Sequence, residues 1–388
     1  MAGDQSHVER AVGAVVDPEF DLPLAEAGMV ASVRVRRHRA TVELTFPVAA
    51  WPSSPHVGEA VRRAALGVPG VDDVSVEVAV MSDHQRADLR ARLRSRMDGP
   101  VGPGDPGTGG HGPGHGHDEA AAVPAFLQPG SSTRVVGIGS GKGGVGKSSV
   151  TVNLAVALVR QGHSVGLLDA DVYGFSVPKM LGVDHDPLVL GDVVVPASAH
   201  GVRCLSMGFF VPDDQPVIWR GPMLHKAIQQ FLSDAFWGEP DFLLVDMPPG
   251  TGDVTLSLAQ VMPRAEVVVV TTPQPAAQRV AQRSAFAARK LKLSVRGVVE
   301  NMSWFTGDDG TRYELFGRGG GAALAADLGV PLLGQVPLVP AIREGGDRGA
   351  PVVVADPEGE AAAAFAALAE RLAALGPARV YRRELTLR

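Results

Sequence analysis

Gly141-Lys142-Gly143-Gly144-Val145-Gly146-Lys147-Ser148 fits the pattern G-x-x-x-x-G-K-[ST], whose chemistry is phosphate binding. Glycines there let successive backbone N–H groups curl around phosphate oxygens at a helix N-terminus, where helix polarity also favours an anion. Lys147 then reaches the β- and γ-phosphates, the Ser148 hydroxyl ligates Mg²⁺, and Ser149 carries the loop into the helix. Two further stretches, Leu167-Leu168-Asp169-Ala170-Asp171 and Asp241-Phe242-Leu243-Leu244-Val245-Asp246, end apolar runs in carboxylates. Mg²⁺ is a hard cation that takes oxygen ligands and keeps several waters. Asp169, Asp171 and Asp246 are therefore candidates, with Ser148, for holding the ion or its waters. A turn or helix cap is the competing role for Asp169. Met247 to Asp253 follows the second run, rigid at two prolines and then glycine-rich, as suits a loop that senses the γ-phosphate.

These residues need strands and helices to place them. Arg134 to Gly139 reads as a strand running into the loop, and Val150 to Arg160 as the helix leaving it, with Gly162 as its stop. Further strands are predicted at 164–168, 202–207, 241–245, 266–271, 295–299 and 332–336. Helices are predicted at 148–161, 223–236, 276–290, 321–327 and 360–375. Apolar runs such as Val267-Val268-Val269-Val270 suit strands covered on both faces. This alternation predicts an α/β fold with a doubly wound, mostly parallel sheet. Ligands then bind at the carboxyl ends of the strands, where each of these motifs falls.

The chain has 388 residues, enough for two domains. Residues 98–131 break it: Gly99 to His117 is mostly Gly and Pro and reads as a flexible tether, with His111, His115 and His117 as part of it. A small α/β domain is expected at 1–97 and a nucleotide-binding domain at 132–388. Net charge is −6, so no global basic field points to nucleic acid or a membrane surface. Arg34, Arg36, Arg37 and Arg39, and again Arg90, Arg92, Arg94 and Arg96, read as solvated surface because no aromatic side chains interleave with them. Nothing approaches the roughly 20 apolar residues of a spanning helix. The N-terminus lacks a signal-peptide pattern, and the cytoplasm is the expected location. Cys204 is the one cysteine. It excludes an intrachain disulfide and reads as a buried apolar residue in a strand.

Lys142 to Ser148, K-G-G-V-G-K-S, resembles the deviant phosphate loop of the ParA/MinD/nitrogenase-iron-protein class of ATPases. In that class the first lysine crosses a dimer interface to the partner's nucleotide, which implies a homodimer with Lys142 acting in catalysis beside Lys147 and Asp171. The resemblance implies that Asp171 places the attacking water and that Asp169 supports the metal. Asp169 to Gly174, Trp219-Arg220-Gly221-Pro222, Asp246 to Asp253 and Val299-Glu300-Asn301-Met302-Ser303 occur in order. Together they resemble the Mrp/ApbC family of P-loop ATPases, described as iron–sulfur cluster carriers. By that pattern Asn301 contacts adenine; a turn asparagine is the other reading. Residues 1–97 resemble PaaD/SufT-like iron–sulfur assembly domains through Asp17-Pro18-Glu19, Ala27-Gly28-Met29-Val30, the Thr45-to-Pro52 stretch and Gly70-Val71. Trp51-Pro52 stands where such domains often carry Cys-Pro.

The family implies ATP and Mg²⁺, apo iron–sulfur proteins or assembly factors as clients, and no nucleic-acid or membrane partner. It also commonly has a C-x-x-C after E-N-M-S, with one motif per subunit bridging a [4Fe–4S] cluster. This chain has Ser303-Trp304-Phe305-Thr306-Gly307-Asp308-Asp309-Gly310 there, with no thiolate. The competing expectation is accordingly an ATP-gated protein-interaction switch without a cluster of its own.

Overall fold

The computed structural model describes residues 5–98, 126, 128, 130–172, 174–210, 221–250 and 253–377. Most of the 98–131 tether with its histidines, Tyr173, Trp219-Arg220, Thr251-Gly252 and the tail from Tyr381 lie outside the described residues.

The N-terminal elements are α1 (Gln5–Gly13), β1 (Val16–Asp17), β2 (Leu22–Pro23), α2 (Leu24–Ala27), β3 (Val30–Arg36), β4 (Arg39–Phe46), α3 (Ser54–Leu66), β5 (Asp73–Val80) and α4 (Asp83–Asp98). β3 and β4 form an antiparallel hairpin, and β5 adds to β4 in parallel. Val33, Val42, Leu44 and Phe46 face one core with Val57 and Val61 of α3. Trp51 is buried there, stacked on Phe20 at 5.1 Å between ring centroids and on Phe46 at 6.3 Å. Its indole N–H donates to Asp17 Oδ2 (2.9 Å), which also accepts from Ser53 Oγ (3.0 Å). Asp17 Oδ1 caps the backbone N–H groups of Glu19 and Phe20. The Asp-Pro-Glu motif thus locks the turn on which Trp51 rests.

Then follow β6 (Arg134–Ser140), α5 (Lys147–Arg160), β7 (Val165–Asp169), α6 (Val177–Leu181), β8 (Leu188–Leu190), β9 (Val193–Val195), β10 (Ala197–Ala199), β11 (Val202–Ser206), α7 (Gly221–Ser233), β12 (Phe242–Asp246), α8 (Asp253–Val261), β13 (Glu266–Thr271), α9 (Pro275–Lys290) and β14 (Ser294–Glu300). The chain ends in β15 (Phe305–Thr306), β16 (Arg312–Tyr313), α10 (Gly320–Leu328), β17 (Leu332–Gln335), α11 (Pro340–Arg348), α12 (Val352–Ala355) and α13 (Glu360–Ala374). The main sheet runs β10-β11-β7-β12-β6-β13-β14-β17, parallel except for edge strand β10. α5 and α13 share a core with Val136 and Ile138 of β6. α8 approaches the other face, where Leu258 lies against Gly137. This is the doubly wound α/β arrangement that the alternating pattern predicts.

Two compact units result: 1–125 with 187–196 and 233–238, and 126–186 with 197–232 and 239–388. In the first, Leu190, Val193, Val195 and Phe236 join the same core as Leu89 and Leu93 of α4. Of the α4 arginines, expected as solvated surface, Arg90, Arg92 and Arg96 are exposed and Arg94 is half-buried, and they make surface ties within this unit. Arg90 lies 3.8 Å from Asp192, Arg92 donates to the Glu26 carbonyl, Arg94 faces Asp98 and Asp234, and Arg96 pairs with Glu26. In the second unit, a buried ion group sits at the amino ends of the strands. Arg134 pairs with Glu266 at 2.7 Å, and Arg296 Nε lies 3.7 Å from the other Glu266 oxygen. Arg134 also donates to the Leu372 carbonyl and Arg296 to those of Leu375 and Gly376, fastening the end of α13.

Candidate nucleotide site

Parallel register builds the site. Asp246 of β12 lies opposite Asp169 of β7, which lies opposite Ser206 of β11, and Asp246 is also opposite Ile138 of β6. The row stands at the carboxyl edge of the sheet, beside the loop that leaves β6. Lys147 and Ser148 open α5 and converge on one oxygen: Lys147 Nζ and Ser148 Oγ each lie 2.6 Å from Asp246 Oδ2. Asp171 Oδ2 is 3.8 Å from Lys147 Nζ. Lys147, Asp169, Asp171 and Asp246 are all buried, so these charges act on one another with little water between them.

Two loop glycines are required by shape. A Cβ on Gly141 would meet the Ala281 backbone of α9 at 2.3 Å, and one on Gly146 (φ 76°) would meet Asn301 Nδ2 at 2.3 Å. Gly143 and Gly144 are exposed with open space around them, while Val145 is anchored in the core. Ser149 is half-buried beside Ser148, and its carbonyl accepts from Asn153. Lys142 is half-buried and its ammonium has no acceptor among the described residues; its carbonyl accepts from Ser140 Oγ. Asn301 follows β14 and donates from Nδ2 to the Val145 carbonyl (2.9 Å), bracing the loop.

Three partners escape a reading of the motifs. Thr151 donates to the carboxylate of Asp246 from one turn further along α5. Ser206 Oγ donates to Asp169 Oδ2 (3.0 Å) and accepts from Gly208 N–H. Glu300, buried beside Asn301, accepts from Ser303 Oγ, Gln335 Nε2 and the Gly321 N–H at the start of α10. Thr151 carries a signal, the i, i+4 spacing from Lys147. Ser206 has none, because only strand order places it beside Asp169.

The donors gathered around Lys147 are hydroxyl and carboxylate oxygens, the set that Mg²⁺ prefers, so the residues present fit the ion. The carboxylates also repel one another. Burial first, and then the charge of Asp246, push the Asp169 carboxyl up to about 7. The folded form then holds a proton that the unfolded chain, with an ordinary carboxyl near 3.8, has released. The stability this group contributes is therefore full below about pH 4 and is lost as pH rises through about 7. Carboxyl-carbon NMR titration of metal-free protein should find one aspartate with a midpoint near 7. A normal midpoint for every aspartate would refute this environment.

Thiolate chemistry finds no support in these surroundings. Cys204 is fully buried in β11, within the main core, as its strand context predicts. Burial, reinforced by the charge of Asp169, holds its thiol well above the usual range and therefore protonated. Where the resemblance implies a C-x-x-C, β15 and β16 form a short hairpin. Asp309 closes its turn on Thr311 N–H and Oγ1, which holds the Asp309 carboxyl below its usual range. Arg312 lies over the Trp304 ring, and Glu360 accepts from Trp304 Nε1 and Thr306 Oγ1. The residues at this position do not fit a thiolate-held cluster.

Residues 131–373 match the sequence profile of a ParA-type family described as NUBPL iron-transfer P-loop NTPase. The chain belongs to this family. It is an iron–sulfur cluster carrier and nucleotide-binding ATPase family, and the chain is accordingly a P-loop ATPase. Residues 5–78 match the profile of an iron–sulfur cluster assembly protein. An iron–sulfur cluster carrier protein of Mycobacterium tuberculosis is 45% identical over 358 residues, covering 90% of this chain and 88% of that protein. One from Deinococcus radiodurans is 43% identical over 367 residues, 94% and 93% of the two chains. A nucleotide-binding protein of Archaeoglobus fulgidus, solved in complex with ADP, superposes with a TM-score of 0.52 at 33% identity, over 60% of this chain and 93% of that one. The cell division ATPase MinD of Pyrococcus furiosus gives 0.50 at 28% identity, over 62% and 99%. No helix among the described residues is long and apolar enough to cross a membrane.

Proposed function

We propose that the chain is an ATP-hydrolysing iron–sulfur cluster carrier or assembly factor that works as a nucleotide-gated homodimer. The observation that carries the reading is the convergence of Lys147 and Ser148 on Asp246, with Asp169 and Asp171 alongside, at the mouth of a glycine loop. Loop N–H groups and Lys147 hold the phosphates. Ser148 and Asp246 hold Mg²⁺, which neutralises phosphate charge when bound, with Asp169 supporting Asp171 through its backbone N–H. Asp171 orients the attacking water, and Asn301, fixed on the loop, contributes the adenine side. Lys142, whose ammonium has no acceptor among the described residues, reaches the partner's nucleotide and offsets charge developing on the transferred phosphoryl group. Residues 1–97 serve as an accessory domain tethered through 98–131 to the ATPase domain at 132–388. Clients are apo iron–sulfur proteins or assembly factors in the cytoplasm.

A second reading is favoured by the β15–β16 hairpin and by the buried, protonated Cys204: an ATP-gated interaction switch that carries no cluster of its own. Anaerobic reconstitution with iron and sulfide separates the two. About four irons per dimer, transferred to an apo-protein, support direct carriage; loss of all iron on desalting removes it and leaves the switch. Lys142→Ala should lower hydrolysis and weaken the ATP-dependent dimer seen by light scattering, and an unchanged rate would sink the cross-dimer role.

A further inference from the structure

We propose that Thr151 is a positioning residue of this ATPase: its hydroxyl fixes which oxygen of Asp246 faces the phosphate loop and the Mg²⁺ held there. The inference rests on the ATPase reading of the site. Thr151 is fully buried, one helical turn after Lys147 in α5. Its Oγ1 lies 2.7 Å from Asp246 Oδ1 and 2.9 Å from the Lys147 carbonyl. A hydroxyl has one proton, so these two acceptors compete for it. The carboxylate oxygen is nearer and carries charge, which makes it the stronger acceptor.

The two oxygens of Asp246 are thereby given different work. Oδ1 is tied to the body of α5, and among the described residues Thr151 is its only side-chain donor. Oδ2 takes Lys147 Nζ and Ser148 Oγ, each at 2.6 Å, and so points into the loop. The terminal torsion of an aspartate is broad and roughly two-fold, so the carboxylate does not hold this orientation unaided. Without the Thr151 hydroxyl, Oδ1 is left buried with no donor, and rotation toward Lys147 or Ser148 recovers one at the expense of the Mg²⁺-facing geometry. Groups that orient a metal-holding carboxylate are typically worth 10–100-fold in metal affinity.

Fluorescent ADP titrated against the full chain, with and without Mg²⁺, tests this. Thr151→Val keeps the shape and removes the donor. It should raise the Mg²⁺ concentration for half-maximal enhancement of ADP binding about tenfold, leave Mg²⁺-free ADP affinity within about twofold, and raise the Mg²⁺ requirement of hydrolysis in parallel. Thr151→Ser should restore wild-type behaviour. If Thr151→Val is not recovered folded, Thr151→Cys, with its weak thiol donor, carries the same expectation. A wild-type Mg²⁺ requirement in the variant overturns the proposal, as does an equal loss of Mg²⁺-free affinity, which marks damage to the helix. Wild-type protein that binds no ADP would instead remove the ATPase reading, and this one with it.

Discussion

Lys147→Ala is expected to lower the turnover number for ATP about 10²–10³-fold, the usual effect of deleting one preorganised group that stabilises transition-state charge. Lys147 is buried, and its ammonium sits between Asp246 at 2.6 Å and Asp171 at 3.8 Å. Its removal deletes a phosphate contact and also leaves the carboxylates of Asp169, Asp171 and Asp246 facing one another without a compensating cation. Mg²⁺ should then be needed to quiet the carboxylates as well as to hold nucleotide, so ADP affinity falls together with turnover. Lys147→Arg should not rescue, since a planar guanidinium cannot replace a compact ammonium in this space. Phosphate release under saturating ATP is the measurement. Retention of more than a tenth of the rate would show that another cation, Lys142 foremost, performs the task.

Glu266→Ala is expected to be the most destabilising single change in the ATPase unit, by about 3–5 kcal/mol. The carboxylate is the shared partner of Arg134 and Arg296, and all three lie away from the nucleotide site. Deleting it leaves two guanidinium groups largely buried with no carboxylate partner. Their remaining polar contacts are carbonyls at the end of α13 and just beyond it, with Arg134 also over the Phe242 ring, so the last turns of that helix should loosen first. Chemical denaturation should show a lower midpoint, and hydrogen exchange should accelerate near Leu372. An unfolding midpoint within about 1 kcal/mol of wild type would show that water reaches the guanidinium groups and that the pair is a surface one.

Much of the nucleotide unit is legible in the sequence because its signals are local. A glycine loop needs small residues at fixed offsets, and four apolar residues before Asp246 make a strand that ends in a carboxylate whatever surrounds it. The same holds for β6, α5, β13 and β14, whose apolar runs set both type and approximate limits. Short elements are not legible in this way. β8 and β9 have three residues each; they pair with one another but pack into the core of α4, so their burial depends on a partner nearly a hundred residues earlier. The α4 arginines are surface residues, as their sequence suggests, but their partners were not legible for a related reason: Glu26, Asp192 and Asp234 come from elsewhere in the chain.

The sequence by itself determined that this chain binds a nucleotide: the loop, its two lysines and the aspartates are residue types at fixed spacings, and their chemistry follows from both. It also determined that a C-x-x-C is missing, since one cysteine is a count and needs no structure. Only the tertiary structure decided which groups meet. Strand order put Ser206 on Asp169, and helix-on-sheet packing put Thr151 on one oxygen of Asp246 with Lys147 and Ser148 on the other. The reason is physical. Spacing along a chain fixes direction within one helix or strand, whereas contacts between elements depend on the order in which the strands pair.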